Sequence, residues 1–336
     1  MAVRTKRNPT FSILAVGSSQ ERNAGRIVAT SSFQDPPRRV RPGLFLMQSL
    51  FADEVNIYTS RHYDADDILY KEFTKETGIK VMEFEVTNEA QREQGMRKMA
   101  QRGANVIVCV GFAQADACDK VAKEFPNTKF SIIDVGWLDN ANMRQYVFNE
   151  HEGSFLVGAL AAMASKTGKV GFVGGMDIPL IRKFQGGYEQ GAQYVNPNIT
   201  VLANMTGTTP EAWNNPTKGA ELTKAQIDGG ADVVYQAAGG TGIGVLQAAA
   251  DAGIMGIGVD TNQNWMHPGN MLTSMLKRLD LTIFEQAEKT QSGRFEAGIH
   301  ILGLAEGMVG YATEDGMVTS EMESAVQAAA AEIVSG

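Results

Sequence analysis

From residue 53 onward the chain alternates between strand-like and helix-like segments, and this alternation constrains its fold more than any other feature. Short apolar or β-branched runs bounded by Gly, Pro, Asn or Asp predict the strands, and longer stretches between them predict helices. The predicted strands are Val55–Thr59, Lys80–Val86, Asn105–Val110, Lys129–Asp134, Lys169–Val173, Thr200–Ala203, Asp232–Gln236, Gly256–Asp260 and Met271–Met275. Regular β-α alternation predicts parallel sheets with helices on both faces.

The number of predicted strands favours two domains, because nine strands would make a long single sheet for 336 residues. We therefore predict an α/β fold of two lobes, each a doubly wound, mainly parallel sheet, divided near residues 148–154. The N-terminal lobe is expected to contain residues 53–150, with about 262–292 returning to it. The C-terminal lobe is expected to contain residues 151–261 together with about 293–336.

The first 51 residues differ in charge from the rest of the chain. They carry eight basic and two acidic residues, whereas the remainder carries 22 basic and 36 acidic residues, for a net charge of −8 overall. Pro36 and Pro37 beside the arginines predict a disordered or leader-like segment. The acidic remainder argues against a nucleic-acid partner, since phosphate binding requires a basic face.

Residues 43–52 form a short apolar run directly after three arginines, which are the parts of a secretory signal. The run starts late and two polar residues interrupt it. No cysteine follows it that would carry a lipid anchor. No apolar stretch of the sequence reaches the roughly 18–20 residues that span a bilayer.

Chemically useful residues gather where predicted strands end. Asp134 and Asp260 each end a predicted strand, and Lys277 follows another. The glycines of 174–175 and of 237–244 follow two more strands. Ligands of open parallel sheets bind outside the carboxyl ends of the strands, glycines let a ligand approach the backbone, and carboxylates accept hydrogen bonds from hydroxyl or ring N–H groups. We therefore predict a ligand site at this edge.

Two aromatic residues are candidates for contacting a planar ligand. Trp213 lies in a loop among polar and turn residues, which is unusual for a core residue and predicts a stacking role. Phe184 follows two basic residues near a helix start, where helix packing and a place in the pocket wall remain equally open.

An enzymatic alternative comes from the glycine run. Gly240-Thr-Gly242 follows a strand and opens a helix, and Asp260 lies twenty residues further on, as at the start of a dinucleotide-binding motif. The complete motif requires a glycine where this chain has Val245. A nicotinamide-dependent oxidoreductase therefore stays the alternative function. The four histidines lack metal-ligand spacing, so we expect no catalytic residue, metal or cofactor.

Six stretches, in order along the chain, carry a resemblance to one known family. They are EFPNTKFSIID at 124–134, EHEGSFLVG at 150–158, VGFVGGMDIP at 170–179, DVVYQAAGGTG at 232–242, GVD at 258–260 and TSMLK at 273–277. From about Lys75 to the C-terminus the chain resembles the basic membrane protein family of ABC-transporter substrate-binding proteins, of the purine-nucleoside-receptor type.

The resemblance implies a type I periplasmic-binding-protein fold that binds a nucleoside, expected to be a purine nucleoside, at the hinge between two lobes. It also implies an ABC permease as membrane partner and a periplasmic or cell-envelope location. The residues that match the family's ligand contacts are Asp134, Phe184, Trp213, Gly239, Asp260 and Lys277. Trp213 would face the base, and Asp260 and Lys277 would address the ribose hydroxyls.

The chain departs from this family at its first strand, where the family carries an Asp-x-Ser-Phe-Asn motif that holds the base. Residues 52–64 instead resemble the opening of periplasmic iron(III)-binding proteins, with His62 and Tyr63 at metal-ligand positions. These two cannot hold iron alone, because the other ligands of that family lie beyond the join at 73–81. A second alternative is therefore a fold-competent chimera that has lost ligand binding.

Overall fold

The computed structural model describes residues 12–16, 54–59, 80–85 and 89–336. The strands in these ranges are β1 Ser12–Val16, β2 Glu54–Thr59, β3 Lys80–Glu85, β4 Val106–Cys109, β5 Lys129–Ile133, β6 Met143–Phe148, β7 Lys169–Met176, β8 Thr200–Gly207, β9 Val233–Ala237, β10 Met255–Gly258, β11 Met271–Lys277, β12 Gly298–Leu302 and β13 Val309–Tyr311. The α-helices are α1 Glu89–Gln101, α2 Ala115–Glu124, α3 Glu150–Ala164, α4 Pro179–Val195, α5 Pro216–Asp228, α6 Gly242–Asp251, α7 Leu279–Gln291 and α8 Ser320–Ser335.

The strands form two sheets, as the β-α alternation predicts. The first has seven strands in the order β12-β6-β5-β4-β1-β2-β3, and every neighbouring pair is parallel. The second has six strands in the order β13-β11-β10-β9-β7-β8, and only its β11–β13 pair is antiparallel. The predicted α/β class with doubly wound sheets is confirmed.

The chain passes between the sheets at three places: after β6, after β11 and between β12 and β13. We expected residues of about 262–292 to return to the N-terminal lobe and residues 293–336 to stay with the C-terminal lobe. The structure divides this part of the chain differently. Strand β11 belongs to the six-stranded sheet, because it pairs with β10 from Gly256 and Met271 onward. The chain returns later, with α7 on β4 and β5 and with β12 beside β6.

All nine predicted strands form, and four further strands do too. Strand β1 lies within residues 1–51, where we expected no regular structure, and it pairs with both β2 and β4. Its apolar sequence Ser-Ile-Leu-Ala-Val suits a central strand. The rest of the leader-like segment, including the candidate signal at 43–52, lies outside the described residues.

Helices α3 and α4 pack backbone to backbone through glycines. A Cβ atom added to Gly191 would overlap the carbonyl oxygen of Phe155, and one added to Gly187 would overlap that of His151. Gly158 meets the main chain of Tyr188 in the same way from the other helix. Three glycines therefore allow a close approach that fixes α4, and with it the loop that leaves β7.

We expect Gly191→Ala to lower the free energy of unfolding by about 3 kcal/mol, because the new methyl group meets main chain that cannot move aside. Gly186 on the same helix is the matched control. A Cβ added there meets nothing within 4 Å, so Gly186→Ala should raise stability by about 0.5–1 kcal/mol through helix propensity. Urea unfolding of both variants tests the contact, and equal effects would contradict it.

Candidate functional site

Four charged residues stand at or just beyond the carboxyl ends of strands. Asp134 follows β5 and Glu150 follows β6, both in the seven-stranded sheet, whereas Asp260 follows β10 and Lys277 ends β11 in the six-stranded sheet. Lys277 reaches across and places its Nζ atom 2.5 Å from Oδ1 of Asp134. This ion pair joins the two sheets at the edge where ligands of parallel sheets bind.

Lys277 lies deep in this cluster, with only 4% of its side chain exposed. Its Nζ atom is 3.4 Å from Oε1 of the fully buried Glu150 and 4.9 Å from the ring centre of Phe148. Burial alone would lower the pKa of Lys277, but the charges of Asp134, Glu150 and Asp260 outweigh it and raise the pKa above its ordinary value. The ammonium group is therefore charged throughout the physiological range.

Asp260 carries an acceptor atom that nothing in the described part of the chain occupies. Its Oδ1 atom is buried and makes no hydrogen bond there. Burial raises the pKa of Asp260 to about 6, the charge of Lys277 opposes this shift, and the charges of Asp134 and Glu150 add to it. A partly buried carboxylate with a free oxygen is suited to receive a hydrogen bond from a ligand hydroxyl.

Asp134 and Asp260 share an unusual backbone conformation. Their φ angles are +64° and +65°, in the left-handed region that non-glycine residues seldom adopt. Strain of this kind costs on the order of 1–3 kcal/mol per residue and clusters at functional sites. Both residues lie just after the end of a strand.

A buried polar network fixes the loop that carries Asp260. Oε1 of Gln263 accepts hydrogen bonds from Nε2 of Gln236 at 2.9 Å and from the amide of Val259 at 3.0 Å. The amide of Gln263 donates to Oγ of Ser274 at 3.0 Å, and that hydroxyl donates to Oδ1 of Asn264 at 2.8 Å. These bonds tie β9, β10 and β11 together directly beneath Asp260, which pre-organises the site.

Trp213 and Gly239 lie at a second corner of the six-stranded sheet. The half-buried Trp213 ends the short helical turn Pro210–Trp213, and its ring packs on Gly175, where no Cβ would fit. Its carbonyl oxygen would lie 3.0 Å from a Cβ added to Gly240. Gly239 has a φ of +56°, which favours glycine at this turn. The structure therefore places this aromatic residue beside the glycine-rich loop.

Phe184 has a different environment from the other candidate residues. It is 3% exposed and belongs to the hydrophobic core beneath α4, so the structure favours the helix-packing interpretation that the sequence left open. Its neighbour Lys183 points instead toward the cluster, with Nζ 3.4 Å from Oε2 of Glu150 and 3.3 Å from the carbonyl oxygen of Phe148.

Glu150 and Lys183 were missed as site residues by sequence reasoning. Strand β6, which precedes Glu150, has the mixed sequence Met-Arg-Gln-Tyr-Val-Phe and was not predicted as a strand. The position of Glu150 at a strand end was therefore hidden. The basic pair of Arg182 and Lys183 ahead of Phe184 was the available signal for the second cation.

The glycines that suggested a dinucleotide site are in close contact with neighbouring parts of the protein. A Cβ added to Gly242 would overlap the carboxamide of Gln236, and one added to Gly244 would overlap the carbonyl oxygen of Pro216. These glycines allow α5, α6 and β9 to approach one another. The glycine pattern that motivated the oxidoreductase alternative is explained by this packing. His62 and Tyr63, the candidate iron ligands, lie outside the described residues.

Comparison with known proteins gives consistent matches over most of the chain. A sequence model of the family described as ABC transporter substrate-binding protein PnrA-like matches residues 48–336. "Basic membrane protein A1" of Borrelia garinii subsp. bavariensis is 33% identical over 240 residues, which cover 69% of this chain and 70% of that protein. "ABC transporter nucleoside-binding protein BmpA" of Lactococcus lactis subsp. cremoris is 33% identical over 255 residues, which cover 70% of this chain and 71% of that protein.

The fold has counterparts among solved structures as well. An ABC transporter system solute-binding protein from Aeropyrum pernix K1 superposes with a TM-score of 0.71 at 26% sequence identity, covering 84% of this chain and 91% of that one. A second solute-binding protein, from Conexibacter woesei, superposes with a TM-score of 0.65 at 23% sequence identity and covers 85% of this chain and 97% of that one. At this identity the likeness supports the fold alone. The expected type I binding-protein fold and the family resemblance are both confirmed.

The raised pKa of Asp260 predicts a pH-dependent stability. Between its ordinary value of 3.8 and about 6, the folded state holds a proton that the unfolded chain has released, so this group makes stability fall as pH rises through that window. Asp260→Asn removes the effect. Relative to the wild type, the variant should gain up to about 3 kcal/mol in free energy of unfolding between pH 4 and pH 7.

Urea unfolding of both proteins at the two pH values provides the measurement. The exposed Asp228 at the end of α5 gives the matched control variant Asp228→Asn, for which the difference from wild type should not change with pH. If Asp260→Asn behaved like this control, the carboxyl of Asp260 would not carry the shift.

Proposed function

Because the chain belongs to the family of PnrA-like ABC transporter substrate-binding proteins, we propose that it captures a nucleoside between its two lobes and delivers it to a membrane permease. The observation that carries this proposal is a buried cation, Lys277, which is ion-paired with Asp134 and lies close to the unsatisfied carboxylate oxygen of Asp260 at the edge between the sheets. The similar Lactococcus protein named for nucleoside binding supports the choice of ligand.

The charged cluster suits the sugar of a nucleoside. A hydroxyl group donates one hydrogen bond and accepts up to two, and an ammonium group beside a carboxylate offers the complementary donor and acceptor. Bonds to charged groups are the stronger kind, worth about 1.5–3 kcal/mol. Lys277 and Asp260 therefore form a site for the ribose, with Asp134 holding Lys277 in place.

The aromatic corner suits the base. The ring of Trp213 is fixed against Gly175 by close packing, so a planar heterocycle can stack on it without ordering a mobile side chain. Gly239 leaves the adjacent backbone open to close approach. Phe184 contributes to the floor of this region as a core residue rather than as a direct contact.

Lobe closure is the mechanism that follows from this arrangement. Residues of both sheets meet in the cluster, and a ligand that contacts both stabilises the closed arrangement by its differential affinity for it. The cluster then acts in binding and not in bond making, so we propose that the protein is not an enzyme and needs no cofactor. A purine is favoured over a pyrimidine by the resemblance noted in the sequence.

We further propose that the protein works in the periplasm or cell envelope, where a substrate-binding component meets its permease. Within the described residues, no helix is long and apolar enough to cross a membrane. Fractionation of cells that carry the full-length chain tests the proposed location.

A thermal-shift screen of the full chain against the common nucleosides tests the proposal. A nucleoside at a hundred times its dissociation constant should stabilise the protein by about 2.7 kcal/mol, while free ribose, free base and ferric citrate should shift the midpoint much less. A cooperative unfolding transition that no nucleoside moves would refute ligand capture and would favour the chimera that has lost binding.

Asp260 also gives binding a pH dependence of its own. If the ribose requires the carboxylate, the affinity of the free protein for nucleoside should fall roughly tenfold from pH 7 to pH 5, because the pKa is about 6. Asp260→Asn should bind about tenfold to a hundredfold more weakly at pH 7 and lose the pH dependence. Calorimetric titration measures both, with Asp228→Asn as the unaffected control.

A further inference from the structure

Gln114 is a buried carboxamide without a partner. The residue is 0% exposed, and neither its Oε1 nor its Nε2 atom makes a hydrogen bond to any part of the chain that the structure describes. It precedes helix α2 but does not cap it, since its side chain makes no bond to the first turn. A buried amide that leaves both atoms unpaired is costly, and an apolar residue of similar size would avoid the cost.

Each of the other buried glutamines in the described part of the chain makes at least one side-chain hydrogen bond, although Gln226 and Gln286 each leave one amide atom unpaired. Gln145 in β6 is 2% exposed, and its carboxamide donates to the carbonyl oxygen of Leu138 and accepts from the amide of Leu138, both at 2.8 Å. Gln226 donates to the carbonyl oxygen of Phe172 at 2.9 Å. The unpaired state of Gln114 is therefore not the usual condition of a buried glutamine in this fold.

Its place in the fold puts Gln114 at the ligand edge. Strand β4 ends at Cys109 beside Ile132 of β5, and Asp134 follows two residues later. The chain then turns at Gly111, with a φ of +88°, into the short helical turn Phe112–Gln114, which packs on β5. Gln114 thus lies beyond the carboxyl end of β4, next to the strand that delivers Asp134.

The second sheet has a counterpart at this position. After β9 the chain forms the short helical turn Gly239–Thr241 and enters α6, as it forms Phe112–Gln114 and enters α2 after β4. Thr241, the last residue of that turn, is also fully buried, but its hydroxyl donates to the carbonyl oxygen of Ala212 and accepts from the amide of Asn215, both at 2.7 Å. Of these two residues, only Gln114 has a side chain without a hydrogen bond.

We propose that Gln114 is a specificity-determining residue that hydrogen-bonds the edge of the ligand's base, and this rests on the proposed nucleoside capture. A carboxamide presents one donor and one acceptor side by side, which matches a purine with an amino or oxo group at carbon 6 beside a ring nitrogen. Stacking on Trp213 tolerates any planar base, whereas the paired bonds of Gln114 select this purine edge.

The first test needs no variant. Calorimetric titration of the full chain with adenosine, inosine and purine riboside, which lacks the group at carbon 6, should show the first or second binding about tenfold to a hundredfold more tightly than the third. Equal affinities for all three would overturn the assignment of Gln114. Absence of binding by every nucleoside would instead overturn the proposed function itself.

The second test uses Gln114→Met, with Gln145→Met as the matched control. Gln114→Met should raise the melting temperature, because an unpaired amide is removed, and should reduce the preference over purine riboside to less than about threefold. Gln145→Met should lower the melting temperature and keep the preference. A Gln114→Met protein that keeps the full preference, whether stabilised or destabilised, would show that Gln114 does not contact the base.

Discussion

The ammonium group of Lys277 is the interaction on which the rest of this site depends. It is buried among three carboxylates, those of Asp134, Glu150 and Asp260, and it bridges the two sheets. A buried ion pair repays its desolvation only when its geometry is good and its other bonds are satisfied. Here Oε1 of Glu150 and Oδ1 of Asp260 make no hydrogen bond to the described residues, which supports the proposal that the cluster binds a ligand.

The surrounding structure holds this cluster in place at a cost that the core offsets. Two aspartates adopt left-handed backbone conformations at the strand ends, and glutamines 236 and 263 fix the loop after β10 through the backbone of Val259. Behind them, α3 and α4 approach so closely that glycines are required at the contact. Close packing of this kind agrees with the proposed mechanism, in which closure depends on a few hinge connections rather than on internal repacking.

Much of this architecture could be predicted from the sequence, because parallel strands are buried on both faces and have a strong apolar signal. Strands β1, β6, β12 and β13 were not predicted, and β13 contains only the three residues Val309–Tyr311. The apolar run of β1 lies in a segment dominated by arginines, β6 contains the buried polar residues Arg144 and Gln145, and β12 exposes Ile299 and Ile301 at a sheet edge. Strands β6 and β12 thus break the expected burial pattern for a tertiary reason.

The site divides in the same way. Asp134, Asp260 and Lys277 were predicted because each ends or follows a strand that was itself predictable, and the structure brings them together. Glu150 and Gln114 were not predicted, since burial and hydrogen-bond satisfaction are properties of the folded chain. The segment exchange after β11 was also placed wrongly, because which sheet receives a strand depends on pairing partners far away in sequence.

The two sheets share one order of strands, but they differ in the charged residues at the strand ends. In both, the central order of strands is the same, with β6-β5-β4-β1-β2 corresponding to β11-β10-β9-β7-β8. An aspartate in the left-handed conformation comes after β5 and after β10. At the next pair of corresponding positions, however, Glu150 faces Lys277 at 3.4 Å. The site is thus built from two repeats of one strand order that differ in charge, so a ligand with two unlike ends should enter it in only one orientation.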